Sequence, residues 1–371
     1  MRIFKSPLPF VAAGVSLLMM MSAGVASASS VSYSQTLTEP RTTSFDISYV
    51  DPATGIDFIA DRTNNAVDMI NANVNPPTFE GYIGQGLFVG TGPKKCLAPG
   101  NSHACGGPNG VVVDSNGVVW TGDGNSTIKA LNAQAGTGKK ALVKSIPTGG
   151  EFRADELAYD PKDQVILIAN DAEGFLTFIN TATQSVAGHF YYEDNAVHKR
   201  ASVAGHSTNG GGIEQSVWDP QTGLFYQAVP GSLQAGSVDI FDPVTEALVG
   251  SFSVPNCLNG PTGLALGSNQ RLLGACDNGA VPIDVNTGQA YQIVPGVGGA
   301  DEVWFNPGDR NFYLAISGGP DLGVVGEDDI LITVIADHGG HSVAANATSN
   351  VILAPDSKGT GVSVFVSKPS P

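Results

Sequence analysis

Seven polar residues recur at one position of a repeated phrase. Asp46, Asn109, Asp155, Glu214, Thr262, Asp301 and His341 each stand five residues before an Asp, Asn or Gly that closes a short, mostly apolar run. The set holds four carboxylates, one amide, one hydroxyl and one imidazole. Carboxylates gathered in a confined space repel one another, and the repulsion is relieved by a bound cation, by proton uptake or by water. Oxygen ligands suit a hard cation such as calcium or magnesium, and direct coordination by His341 shifts the choice towards zinc, manganese, iron or copper. Asp46, Asn109, Asp155, Glu214, Asp301 and His341 are therefore the candidate ligands of a divalent metal ion. His341, Glu214 and Asp155 are the candidates for catalysis, with His341 as ligand or general base. The next position in the phrase is mixed, and its acids Glu156 and Glu302, with Thr262, are secondary members of the group. A hydrated ring of acids that needs no ligand fits the same pattern.

The elements that must bring these residues together follow from the phrase itself. Its clearest copies are Ala154-Asp155-Glu156-Leu157-Ala158-Tyr159-Asp160-Pro161, Ile213-Glu214-Gln215-Ser216-Val217-Trp218-Asp219-Pro220 and Ala300-Asp301-Glu302-Val303-Trp304-Phe305-Asn306-Pro307. Each reads as a strand with a polar entrance and a turn at its end. The closing residues Asp51, Asp114, Asp160, Asp219, Gly267, Asn306 and Asn346 are spaced by 63, 46, 59, 48, 39 and 40 residues. That period is the forty-odd residues of a four-stranded propeller blade, with insertions in the first and third. The expected fold is an all-β, seven-bladed β-propeller of antiparallel blades without helices. The segments 55–62, 66–71 and 78–83 supply the later strands of the first blade, and 165–171, 175–180 and 185–190 those of the third. The seventh blade lacks its last strand, and the segment 31–37 is expected to complete it and close the ring.

Asp61-Arg62-Thr63-Asn64-Asn65-Ala66-Val67-Asp68-Met69-Ile70 and Pro355-Asp356-Ser357-Lys358-Gly359-Thr360-Gly361-Val362-Ser363-Val364 resemble repeats of the YVTN and NHL class of β-propellers, which is related to the gluconolactonase-type propellers. The resemblance covers nearly the whole chain after the leader. In lactonase-like propellers a few acidic and amide residues at the strand starts hold a metal that polarises the substrate carbonyl, so the resemblance implies that role for Glu214, Asn109, Asp155 and Asp301. The match is positional, and the same superfamily includes lyases, electron-transfer partners and plain binding scaffolds.

Two insertions flank the ring. The loop 193–212 contains His198, Lys199, Arg200 and His206, ends in Asn209-Gly210-Gly211-Gly212 directly before Glu214, and reads either as a lid bringing the only local positive charge or as a solvated loop. The loop 84–107 carries Cys96 and Cys105 and leads into Asn109. By proximity, Cys96 pairs with Cys105 and Cys257 with Cys276; no C-x-x-C competes as a metal motif. Tyr159, Trp218 and Phe305 are expected to pack between blades.

Residues 1–28 read as a secretory signal peptide, with Arg2 and Lys5 before an apolar run that ends in Ala26-Ser27-Ala28, and 29–371 as one propeller domain. Export to a periplasmic or extracellular space agrees with disulfide formation. The chain has 18 basic and 34 acidic residues, a formal charge of −16, and no clustered Lys and Arg to hold a phosphate backbone, which argues against nucleic acid as partner. No segment after the leader is long and apolar enough to span a membrane. The leading reading is an exported enzyme acting on a small molecule at the channel mouth, metal-dependent and hydrolase-, lactonase- or lyase-like. The alternative is a non-catalytic propeller whose rim loops engage a protein, polymer or glycan.

Overall fold

The closing residue of the phrase has a structural reason. Six of the seven are Asp or Asn whose side-chain oxygen accepts a hydrogen bond of 2.8–3.2 Å from the backbone N–H two residues on: Asp51, Asp114, Asp160, Asp219, Asn306 and Asn346. Such a side chain mimics a backbone turn and reverses the chain at the end of a strand. Gly267, which has no side chain, makes its turn through its own N–H to the Arg271 carbonyl at 2.7 Å. At Gly55 and Gly223, four residues after their closers, φ is 67° and 74°, the left-handed region open to glycine.

In the computed structural model, residues 30–93, 96, 104–197, 202–208, 210–231, 235–319, 321–356 and 358–368 are described. The expected signal segment 1–28 lies outside them, as do His198, Lys199 and Arg200. The chain forms seven antiparallel blades, with inner strands Phe45–Val50, Val111–Val113, Leu157–Asp160, Ser216–Asp219, Leu264–Leu266, Ala300–Asn306 and Ala344–Ala345. Each inner strand stands where the repeat places it. Six blades have four strands. In the fifth, three strands are joined by isolated bridges at Ala290 and Val294, which stand in for the outer strand. Three short 3-10 turns, Ala133–Ala135, Gly138–Ala141 and Asp171–Glu173, are the helical content among the described residues, where none was expected.

Ser30–Leu37 pairs antiparallel with Gly361–Lys368 from Ser30 opposite Lys368 to Leu37 opposite Val362, so the first strand of the described residues is the outer strand of the last blade. This closure removes the edge that an open ring would leave. Seven buried apolar clusters lie one between each pair of neighbouring blades, including the seam of blades 7 and 1, where Phe45, Ile59 and Ile70 meet Leu353, Val362 and Val364. Burial on both faces is why the second strands read as unbroken apolar runs; all six residues of Val165–Asn170 are buried, whereas the outer strand Ser185–Tyr191 alternates. Both expected disulfides, Cys96–Cys105 and Cys257–Cys276, are present.

Candidate functional site

The inner strands begin side by side at one end of the central channel, and their polar entrance residues collect there in two unlike halves. In blades 1 to 3 the ring is tied up by two arginines that stand outside the repeat register. Arg62, at the end of the second strand of blade 1, pairs with the Asp46 carboxylate. It also reaches blade 2, donating to Asn109 Oδ1 from Nε at 3.1 Å and from Nη2 at 2.7 Å. Asn109 Nδ2 passes the link to blade 3 by donating to the Ala154 carbonyl at 2.9 Å. Arg153 sets its Nε 2.6 Å from Asp155 Oδ2, its Nη2 3.3 Å from Asp171 Oδ2 and its Nη1 3.9 Å from Asp46 Oδ2. Asp46, Asn109 and Asp155 are all buried. A guanidinium is suited to this place because its fixed fork of donors serves several carboxylates at once. Burial works to raise the Asp46 carboxyl, but Arg62, His341 and Arg153 overcome it and hold the group below its ordinary range.

In blades 4 to 7 the ring members stay partly exposed. Thr262 is spent structurally, its Oγ1 donating to the Ala300 carbonyl at 2.9 Å. Among the described residues, no guanidinium bonds to Glu214, Asp301 or His341. The His341 ring stacks on Phe45, with centroids 4.5 Å apart and planes 9° from parallel, and its Nε2 lies 3.5 Å from Asp46 Oδ1. Burial, then the neighbouring Asp171, Asp301 and Asp155, push the Glu214 carboxyl well above its ordinary value, with Arg153 opposing. Asp301 is also pushed up by burial, against the pull of His341. The open half therefore brings two carboxyls raised above their ordinary range beside an imidazole that stacks on Phe45 near Asp46.

One residue further in, Glu156 of blade 3 and Glu302 of blade 6 meet side chain to side chain across the channel, and both are buried. Burial and the surrounding carboxylates push both well above the ordinary range. Two carboxyls in contact share a proton, because both cannot ionise there. Gln215 lies beside them and spans three blades: its Oε1 accepts from Leu264 N at 2.6 Å and Val303 N at 3.1 Å, and its Nε2 donates to the Val303 carbonyl at 3.1 Å. The second position of the phrase thus belongs to the channel as fully as the first.

Loop 193–212 was expected either to bring positive charge to the ring as a lid or to be a solvated loop; its His198, Lys199 and Arg200 lie outside the described residues, and Arg62 and Arg153 bring positive charge to the ring from other elements. Among the loop's described residues, His206 is partly buried, and its carbonyl accepts from Glu193 N at 2.7 Å. The loop borders a cavity of about 390 Å3 that also meets Asp171, Glu173 and Glu214. Neither arginine was singled out from the sequence. The usable signal was their rarity: in a chain of 18 basic residues, Arg153 stands two residues before a ring acid, and Arg62 directly follows Asp61.

Of the six residues expected to hold a metal, Asp46, Asn109 and Asp155 already bond guanidinium groups, which leaves Glu214, Asp301 and His341. Among the described residues, no group of three or more His, Cys, Asp or Glu side chains is arranged to hold a metal ion.

Fold and site together define a seven-bladed β-propeller with an acidic, arginine-braced channel mouth. Solved structures share the fold. The chain is similar to a chain of Kuenenia stuttgartiensis hydrazine synthase, at 12% identity and a TM-score of 0.66, over 90% of this chain and 97% of that one. It is similar to the WD40 propeller domain of Doa1, at 12% identity and a TM-score of 0.61, over 90% and 96%. It is also similar to U3-55K, at 11% and 0.61, over 91% and 98%. At these identities the likeness is one of fold alone. No protein-family model matches the chain, and no curated protein matches it in sequence. Among the described residues, no helix is long and apolar enough to cross a membrane.

Proposed function

We propose that this is an exported propeller enzyme that acts on a small polar molecule at the channel mouth by general acid–base chemistry, of the hydrolytic or eliminating kind. The observation that carries the reading is the division of the ring. Blades 1 to 3 spend their entrance residues on Arg62 and Arg153, whereas Glu214, Asp301 and His341 stay partly exposed and, among the described residues, unpaired with a guanidinium. His341, held between Phe45 and Asp46, takes a proton from water or from the substrate. Glu214 or Asp301, kept protonated by burial and by its acidic neighbours, returns one to the departing or developing oxyanion. The two arginines offset part of the carboxylate charge in blades 1 to 3 and fix that half of the ring beside the partly exposed residues. No step is assigned to a metal. Asp155, which the sequence puts forward as catalytic, serves here to position Arg153.

The reading is tested by turnover of a panel of lactones, esters and β-substituted acids, with purified protein before and after dialysis against chelator, and with His341→Gln and Glu214→Gln. Each substitution should cut turnover by about 10²–10⁴-fold while leaving the circular dichroism spectrum intact. If calcium, zinc, manganese, iron or copper restores activity lost on chelation, the metal dependence implied by the lactonase-like resemblance is right and the metal-free assignment is wrong. Turnover of nothing in the panel, with a partner captured through variants of loop 193–212, would put the binding-scaffold alternative in its place.

A further inference from the structure

The two disulfides lie in unlike settings. Cys257–Cys276 is sealed in the seam between blades 4 and 5, where Cys257 is 0% and Cys276 1% exposed among Tyr226, Val254 and Leu272. Cys96–Cys105 belongs to the insertion between blades 1 and 2, and both of its cysteines are partly exposed. Disulfide exchange requires an attacking thiolate to reach a sulfur, so access separates the two bonds: an exposed bond is the labile one and a sealed bond resists reduction.

The segment that carries Cys105 touches both arginines of the mouth. Ala104, which is buried, accepts a hydrogen bond at its carbonyl from Arg153 N at 2.7 Å. A side chain at Gly106 would begin 3.3 Å from Arg62 Cδ, so the backbone there lies against that arginine. Gly107 exchanges two hydrogen bonds of 2.8 Å with Gly90. Side chains at Gly92 and Gly124 would begin 2.6 and 2.5 Å from the Cys105 carbonyl oxygen, so residues 104–107 are wedged between backbones that leave room only for glycine. Ala104 precedes Cys105 and Gly106 follows it, which puts the disulfide next in sequence to both arginine contacts. Arg153 in turn serves Asp155, Asp171 and Asp46, and Arg62 serves Asp46 and Asn109.

We propose that Cys96–Cys105 is a redox-sensitive latch on the channel mouth: closed, it holds residues 104–107 against Arg62 and Arg153, and opened by a dithiol, it lets that segment and the arginine brace loosen. The step is a thiol–disulfide exchange. A thiolate of the dithiol attacks one sulfur, the S–S bond breaks, and the other sulfur leaves as a thiolate that takes a proton. The second thiol of the dithiol then attacks the mixed disulfide. The dithiol departs as a disulfide, and its two electrons and two protons remain on Cys96 and Cys105 as thiols. The bond closes a short loop between cysteines nine residues apart. Cutting it returns chain entropy to the locally opened state, so that opening becomes more frequent. The latch goes beyond the acid–base reading of the mouth and does not rest on it, because a brace that only shapes a binding surface is controlled in the same way.

The test equilibrates the native protein with mixtures of reduced and oxidised dithiothreitol, traps free thiols by alkylation and locates them by peptide mass spectrometry. Cys96 and Cys105 should be labelled together, at a ratio of reduced to oxidised reagent about tenfold or more below the ratio that opens Cys257–Cys276. Where only the first pair is open, hydrogen exchange at the Arg153 amide, whose acceptor is the Ala104 carbonyl, should quicken by about tenfold or more. The Ala275 amide beside Cys276, bonded to the Gly263 carbonyl, should not change. Cys96→Ser/Cys105→Ser should show the faster Arg153 exchange without any reductant; if that variant does not fold, the selectively reduced wild type decides alone. Opening of Cys257–Cys276 at the same ratio or a lower one overturns the proposal, as does Arg153 exchange that is unchanged once Cys96 and Cys105 are labelled. Loss of the near-ultraviolet circular dichroism when the first pair alone opens makes that bond a staple of the whole fold and overturns the latch as well. Every readout is structural, so the result is independent of whether any substrate is turned over at the mouth.

Discussion

Asp57 offers a quantitative test of how the ring is closed. It lies in the second strand of blade 1, Ile56–Asp61, paired with Ile70 of the next strand, two residues from Ile59 and therefore on the face turned towards blade 7. It is fully buried, and neither carboxyl oxygen accepts a hydrogen bond from the described residues. Burial pushes its pKa up to about 8. Against an unfolded value of about 3.9, the folded state holds a proton that the unfolded state releases. For an acid raised on folding, stability is intact below the unfolded pKa and is lost as pH climbs towards the folded one. The loss is about 1.4 kcal/mol per pH unit, or about 4 kcal/mol by pH 7. Asp57→Asn keeps the shape and removes the titration. The amide donors of Asn would also lack partners, so the absolute stability of the variant is not the test; the slope is. Urea unfolding of wild type and variant at pH 5.0 and pH 7.0, buffer values chosen on either side of most of the loss, should show the variant gaining about 2–3 kcal/mol relative to wild type between the two. A difference that stays constant with pH, or that moves the other way, would refute the reasoning and mean that the Asp57 carboxylate is ionised and solvated in the seam.

Two further outcomes follow from the contacts. Arg153→Met should destabilise the fold by about 3–5 kcal/mol, because it leaves Asp155 and Asp171 without their guanidinium, and Arg153→Met/Asp155→Asn should recover part of that loss in the same urea titration; a single variant within about 0.5 kcal/mol of wild type would show that the ring needs no internal counter-ion. Deleting 30–37 removes the outer strand of blade 7 with the partly buried Val31, Tyr33 and Leu37, and should cost about 3–5 kcal/mol at the usual 1–2 per apolar side chain; an unchanged thermal transition would mean that the ring closes without it.

The parts of this molecule that a reader of the sequence can see are those with a local cause. A closing Asp or Asn makes its turn with a neighbour two residues away, so Asp51, Asp114, Asp160 and Asp219 mark their strand ends wherever the chain goes afterwards. The entrance residues inherit that register, which is why Glu214, Asp301 and His341 were legible as a group though they lie up to 127 residues apart. The arginines have no such mark. Arg153 reaches Asp46, 107 residues away, only because the ring closes on itself, and its own sequence position differs from that of a solvated surface arginine in nothing but the acid two residues on. The fifth blade shows the same limit, since its outer position is held by bridges at Ala290 and Val294 in place of a patterned strand.

The two ends of the channel illustrate how one periodic signal divides into different chemistries. Along each inner strand the first position of the phrase faces the mouth, the second reaches the axis, and the aromatic positions come near the closing turn. Periodicity explains why a polar residue opens the phrase in all seven blades. It does not say which copies are neutralised. Arginine saturates the mouth in blades 1 to 3, and among the described residues none pairs with Glu214, Asp301 or His341. At the axis no arginine among the described residues pairs with Glu156 or Glu302, and the two acids meet each other instead. On the function proposed above, asymmetry in the counter-charges, more than the acidic ring itself, separates an acting site from a repeated structural feature, and substitutions at Arg153 and His341 should tell the two apart.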